Sequence, residues 1–238
     1  MLLGTDPPRL PAAVLVRAGE LFGIAEGTTR VALSRMVAGG ELKADDGWYA
    51  LTGARLLERR VRQAASRAAD THPWDGTWLV AVVTAERRAA AARAELRDAL
   101  MRARLGELRE GVWARPDNIS LALASVVDEQ CTTMRASDIE PALVGKLWDL
   151  EGWQDRARSL RSDMKQLVRP LERGDTLALA DGFVISAAVL RHFQADPLLP
   201  DSLLPARWPG RALRADYDRF DTAYRAVLRD WFRANSTQ

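Results

Sequence analysis

Residues 26–51 read EGTTRVALSRMVAGGELKADDGWYAL, and this stretch decides the fold of the first part of the chain. From Glu26 to Ala38 the spacing predicts a helix, with Thr29, Leu33, Met36 and Val37 on one face and Arg30, Ser34 and Arg35 projecting from another. Gly39-Gly40 stops it. Leu42-Lys43-Ala44 and Trp48-Tyr49-Ala50-Leu51 then flank Asp45-Asp46-Gly47, and Asp-Gly between strand-forming runs is a strong hairpin signal. Upstream, residues 11–22 place Val14, Leu15, Ala18, Leu21 and Phe22 at helical spacing, with Pro11 suited to the first turn and Gly23 past the end. Helix, short turn, helix, hairpin is the order of a winged helix-turn-helix. Its second helix enters a DNA major groove and its hairpin is the wing.

On that reading Arg30 and Arg35 reach base edges or phosphates, since arginine to guanine is the commonest specific contact. Thr28, Thr29 and Ser34 offer hydroxyls to phosphates, and Lys43, Trp48 and Tyr49 belong to the wing. A plainer reading stands beside it. The arginines of a small helical subdomain simply solvate a helix face, with Thr28 or Thr29 as an N-cap. A winged helix can also bind protein, and phosphates would repel Asp45 and Asp46 at the wing tip.

Composition narrows the class. The chain has 238 residues, 47% of them hydrophobic and 28% charged, which excludes a disordered protein. Net charge is only +2, and of the 34 basic residues only Lys43, Lys146 and Lys165 are lysines. Such an arginine excess, with many alanines, looks like codon bias. Cys131 is the single cysteine, so an internal disulfide and a multi-cysteine metal site are excluded. His72 and His192 are too few for a histidine-rich site, and nothing points to a cofactor. No secretion signal precedes Asp6-Pro7-Pro8. The longest apolar run, Trp78 to Val83, is far short of the ~20 residues that span a bilayer. A soluble, cytoplasmic protein with no membrane association is expected.

Beyond the hairpin, residues 53–73 read as a connecting helix and linker, basic through Arg55, Arg59, Arg60, Arg62 and Arg67. Residues 74–140 follow the order β-α-β-β-α-β, which is ferredoxin-like. The elements are a strand at Trp78–Val83, a helix near 87–104 ended by Gly106, short strands at 107–109 and 112–115, a helix near 120–127 and a strand near 131–135. Residues 141–238 read as a helical domain, with helical periodicity over 141–168, 170–194 and 211–233 and three proline-anchored turns between Asp196 and Gly210. The fold class is α+β and multidomain, with residues 1–52 as the winged helix-turn-helix.

Several motifs together resemble the PaaX family of transcriptional regulators. They are Thr29 to Met36 with Gly40 after it; Trp48-Tyr49-Ala50-Leu51-Thr52; Trp74-Asp75-Gly76-Thr77-Trp78; and Gly111-Val112-Trp113-Ala114-Arg115-Pro116. Leu147-Trp148-Asp149-Leu150 and the run from Asp196-Pro197 through Leu203-Leu204-Pro205 to Trp208-Pro209-Gly210 complete the set. The resemblance implies a winged-helix domain, a ferredoxin-like domain similar in fold to the small CRISPR-adaptation endonucleases, and a helical C-terminal domain. It implies a homodimer that represses from double-stranded operator DNA and leaves it on binding a CoA-thioester effector, an aryl-acyl-CoA such as phenylacetyl-CoA. Two features depart from the family pattern. Only Met1 to Thr5 precede the proline pair, where relatives carry a helix, and Lys43 is the wing's one cation.

Other groups invite other chemistry. Trp74, Trp78 and Trp113 suit either an aryl pocket or the core, and core is the ordinary fate of such residues. Arg87, Arg88, Arg156, Arg158, Arg161, Arg207 and Arg211 are candidates for the phosphates of a CoA ester. His192 with Asp181 or Asp196 and Ser186 lacks a nucleophile elbow, so no catalytic residue is assigned. Asp128 and Glu129 read as a helix-end charge pair, and no metal site is assigned. The rival from another class is a metal-dependent nuclease built on the ferredoxin-like domain.

Overall fold

The computed structural model of the chain describes residues 2, 5, 7–65, 67, 71–86, 88–120 and 122–236. In chain order its elements are β1 (Arg9–Pro11), α1 (Ala12–Glu20), α2 (Glu26–Ala38), β2 (Leu42–Asp45), β3 (Trp48–Leu51) and α3 (Ala54–Ala65). There follow β4 (Trp78–Val83), α4 (Ala90–Arg102), β5 (Gly106–Arg109), β6 (Val112–Pro116), α5 (Ser125–Gln130) and β7 (Cys131–Ala136). The last are α6 (Val144–Leu147), α7 (Leu150–Glu172), α8 (Ala178–Gln194) and α9 (Gly210–Ser236), with 3-10 turns at Pro141–Leu143 and Asp201–Leu203. Two compact units result: residues 1–67, 158–191 and 211–238 form one, and residues 68–157 and 192–210 the other. The residues beyond 141 are thus shared between them. No helix of the described residues is long and apolar enough to cross a membrane.

In the first unit, α1 is closed by Gly23 at φ 67°, where the Ile24 N–H bonds the Gly19 carbonyl at 3.0 Å and the Gly23 N–H that of Glu20 at 2.9 Å. The β2–β3 hairpin turns through Asp46 (φ 42°) and Gly47 (φ 76°), the two left-handed residues that a tight two-residue turn demands. Both elements fall where the sequence reading places them, though α1 is shorter than residues 11–22, with Pro11 before it and not in its first turn, and β2 extends one residue further, to Asp45. The strand β1 does not appear in that reading. It pairs antiparallel with β3, giving the order β1-β3-β2, and its last residue, Pro11, is also the extended residue before α1. Leu10, Val14, Leu33, Leu42 and Leu51 form the core here, and Trp231 and Phe232 of α9 pack against it. Buried Asp221 of α9 accepts hydrogen bonds from Arg67 and from Arg225. Of the basic connecting stretch, residues 66 and 68–70 and the side chains of Arg55 and Arg62 lie outside what the structure describes.

The second unit holds the four-stranded antiparallel sheet, in the order β5-β6-β4-β7, as the ferredoxin-like reading requires. Ala81, Trp113 and Cys131 pack one face against Leu96, Ala99 and Leu100 of α4 and Val127 of α5. Trp78 and Ala114 pack the other against Val144 and Leu199. Three local expectations are corrected. The helix α4 ends at Arg102, and the chain reverses at Arg104 (φ 60°), while Gly106 already lies in β5. A non-glycine residue holds that strained conformation because its guanidinium donates to the carbonyls of Phe193, Gln194 and Asp196. The fifth helix is displaced to Ser125–Gln130. The stretch expected as one helix over 141–168 is broken by extended Trp148 (φ −138°), and α7 runs on through Pro170 to Glu172. Pro170 lies in the last turn, where it leaves the Gln166 carbonyl without its helical donor, and the Asp175 N–H closes the end on the Pro170 carbonyl at 3.1 Å.

One buried cation organises the loop after α8. Arg115 is fully buried and, among the described residues, faces no carboxylate at hydrogen-bond distance; its donors go to the carbonyls of Pro116 (2.9 Å) and Arg104 (3.5 Å) and to Asn118 Oδ1 (2.8 Å). Burial, and then the neighbouring Arg104 charge, pull its pKa down to about 9. Asn118 in turn donates to the Leu198 carbonyl at 2.9 Å, holding a residue at φ 50°. Asn118→Ala removes an acceptor from a buried charge and is expected to lower stability by about 2–3 kcal/mol. The check is the urea midpoint with the slope unchanged.

Candidate nucleic-acid interface

The second helix, α2, has one buried residue, Leu33. Its seat on α1 is set by Gly19, where a Cβ atom would stand 2.3 Å from Thr29 Oγ1 and 3.4 Å from Thr29 Cβ and Cγ2. The Thr29 hydroxyl is buried there without a hydrogen-bond partner. Thr29 therefore faces α1, on the Leu33 side of the helix, and does not present its hydroxyl outward. Nor is either threonine the N-cap: Ala25 holds that place and offers no side-chain bond.

The rest of α2 is available. Thr28, Arg30, Ser34 and Arg35 are exposed. Arg30 is engaged by Glu26 one turn before it, at 2.7 Å. Such exposed pairs are weak and exchange readily. No ion pair engages Arg35 among the described residues. At 3.6 residues per turn, Thr28 and Arg35 fall on the side opposite Leu33, and Arg30 falls toward Leu33's own side.

The hairpin sorts its residues by register. Lys43 and Arg9 both lie opposite Ala50, from β2 and β1 respectively. Residues paired across strands share a face, and alternate residues of one strand do too. Arg9, Lys43 and Trp48 therefore occupy the outer face, with the Arg9 guanidinium 4.5 Å over the Trp48 ring. Tyr49 is on the inner face, half-buried against the core with Leu10, Leu42 and Leu51. Sequence reasoning placed Tyr49 with the interface and missed Arg9, because only the pairing of β1 brings that cation to the hairpin. Asp45 and Asp46 are exposed at the tip.

The remaining candidates serve the fold. Trp78 and Trp113 are buried in the two cores of the second unit, and the Trp74 indole N–H donates to the Thr77 carbonyl at 2.6 Å. The His192 ring stacks on Trp153, which stacks on Trp208, at 4.2 and 4.4 Å. The Ser186 hydroxyl lies 3.0 Å from the Tyr217 hydroxyl. Burial pushes the Tyr217 phenol up to about 12, so it stays protonated. Burial also raises the pKa of the Cys131 thiol. Arg161 is paired with Asp216 at 2.6 Å, Arg87 lies outside the described residues, and Arg156, Arg158, Arg207 and Arg211 are exposed. Arg88 lines a cleft of about 280 Å³ with Arg93, Arg97 and Trp113, where Glu107 holds Arg97. Among the described residues no group of three or more histidine, cysteine or acidic side chains could hold a metal ion.

The Gly19–Thr29 contact yields a test. Gly19→Ala is expected to cost about 1–3 kcal/mol, because β-branched Thr29 cannot swing its hydroxyl away freely. Adding Thr29→Ala recovers most of that loss. Urea midpoints of the double-mutant cycle measure the coupling, and simple additivity would place the strain elsewhere.

Comparison with known proteins bears on both units. Residues 71–140 match the model of the PaaX protein central Cas2-like domain, and residues 148–234 match that of the PaaX-like protein C-terminal domain. The structure resembles that of the uncharacterized protein Rv0674 from Mycobacterium tuberculosis, with a TM-score of 0.76 and 42% sequence identity, over 98% of this chain and 95% of that one. No protein of curated description matches. The four-stranded antiparallel sheet of residues 78–136 fits the Cas2-like domain. With both family models matched in order and this full-length likeness, the chain belongs to the PaaX family.

Proposed function

We propose that β1, α1, α2 and the β2–β3 hairpin form a winged helix-turn-helix that seats α2 in the major groove of operator DNA. The chain then acts as a non-catalytic, cytoplasmic transcriptional regulator. The carrying observation is the economy of α2: it commits one buried side chain to the core and leaves Thr28, Ser34 and Arg35 exposed, while the outer face of the small sheet bears Arg9 and Lys43. Arg35 is the base reader, because its planar fork can donate two bonds to guanine O6 and N7. Thr28 and Ser34 serve phosphates, and Arg9, Lys43 and Trp48 hold the backbone near the wing. Family membership supports regulation as the role. The finer reading is a homodimeric repressor on two half-sites about one helical turn apart. Release by an aryl-acyl-CoA such as phenylacetyl-CoA completes it. Such an effector acts only through different affinity for the two states; a hundredfold preference supplies about 2.8 kcal/mol of coupling.

A titration of fluorescent duplex from immediately upstream of the protein's own gene, beside a scrambled duplex, tests this. Wild type should prefer the upstream duplex and lose affinity steeply between about 50 and 200 mM salt. Arg35→Ala should weaken specific binding by roughly tenfold or more, the loss of one bidentate base contact. Phenylacetyl-CoA should release the duplex. Equal, weak binding to every duplex would overturn the regulator reading; tight binding without release would overturn only the effector.

A further inference from the structure

The outward row of α2 contains a residue that neither packing nor helix propensity explains. Val31 is 53% exposed and belongs to no core cluster of the unit, although Met36 and Val37 of the same helix pack against one. Valine is also a poorer helix former than the alanine, lysine or glutamate that an idle surface position would carry. Val31 lies opposite buried Leu33, on the same side as Thr28 and Arg35 and between them along the helix axis. Gly27 and Ala32 beside it are small and exposed, and nothing lies within 4 Å of where a Cβ on Gly27 would be. The result is a bare isopropyl group beside a cation that no acid engages among the described residues.

Resting on the winged-helix reading above, we infer that Val31 reads the C5-methyl of a thymine in the operator. Valine has no donor or acceptor, so it can select a base only by apolar contact. Thymine is the one base that presents a methyl group in the major groove. Arg35 follows Val31 by four positions, about 6 Å along the helix. That is close to two base-pair rises of ~3.4 Å. The thymine read by Val31 and the guanine read by Arg35 therefore lie within about two base pairs of each other. A protein partner fits less well, because one isopropyl group flanked by glycine and alanine offers too little apolar area to hold a surface.

The test begins with full-length wild-type protein and a random-sequence duplex library, from which the tightest binder is selected. Each thymine of that duplex is then replaced singly by deoxyuridine, which lacks only the methyl. Wild type should lose about fourfold in affinity at one position per half-site, the worth of one buried methyl. Val31→Ala should bind the thymine and deoxyuridine duplexes equally at that position, and Val31→Thr, which keeps one methyl, should retain part of the difference. Losses that are absent, or the same in wild type and Val31→Ala, would overturn the inference and leave the DNA reading intact. Failure of wild type to enrich any duplex would overturn both.

Discussion

The close approach of two helices at Gly19 is the constraint on which the surface of this protein depends. With a single leucine fully buried, α2 draws only about 1.5–3 kcal/mol from full burial of an apolar side chain. Its orientation must come from geometry as much as from area. Gly19 admits Thr29 where any larger residue would push the helix away, and the cost is a buried hydroxyl without a partner. A helix seated so lightly keeps most of its circumference free. That suits an element whose purpose is to be covered by something else.

The Cas2-like unit follows the opposite logic. Both faces of its sheet are covered, by helices on one side and by Val144, Leu199 and their neighbours on the other. At its centre lies a guanidinium satisfied by carbonyl oxygens. Such a group contributes little net stability, since desolvation offsets the bonds it makes. What it secures is geometry. The Arg115–Asn118–Leu198 chain fixes one conformation of the loop from Asp196 to Pro200, including a left-handed leucine that would not otherwise hold it.

Where structure is set locally, it was legible in the sequence. The bounds of α2 and the hairpin follow from Gly39-Gly40 and Asp46-Gly47, and the helical period placed Thr29 on the Leu33 side. The strand order of the middle domain followed from the alternation of strands and helices. What escaped was set at a distance. The three residues of β1 carry no alternation and exist as a strand only through β3. Arg104 looks like a helix interior until the carbonyls near Asp196 are known to meet it. Tyr49 and Arg9 exchange places in the candidate interface because a strand's faces are assigned by its partners. Val31 passed unnoticed because it lies off the face of Thr29, Leu33, Met36 and Val37 and carries no polar group to mark it.

The first unit is assembled from three separate stretches of chain, residues 1–67, 158–191 and 211–238. Leu10 and Leu33 share a core with Trp231 and Phe232, which lie far along the chain from them. The candidate DNA-reading helix therefore gains its full support only from chain synthesised long after it. Such long sequence separation raises the entropy of closure and slows folding. Through most of translation the apolar side of that nascent segment lacks its covering. Damage to α9 thus reaches α1 and α2 through the core they share.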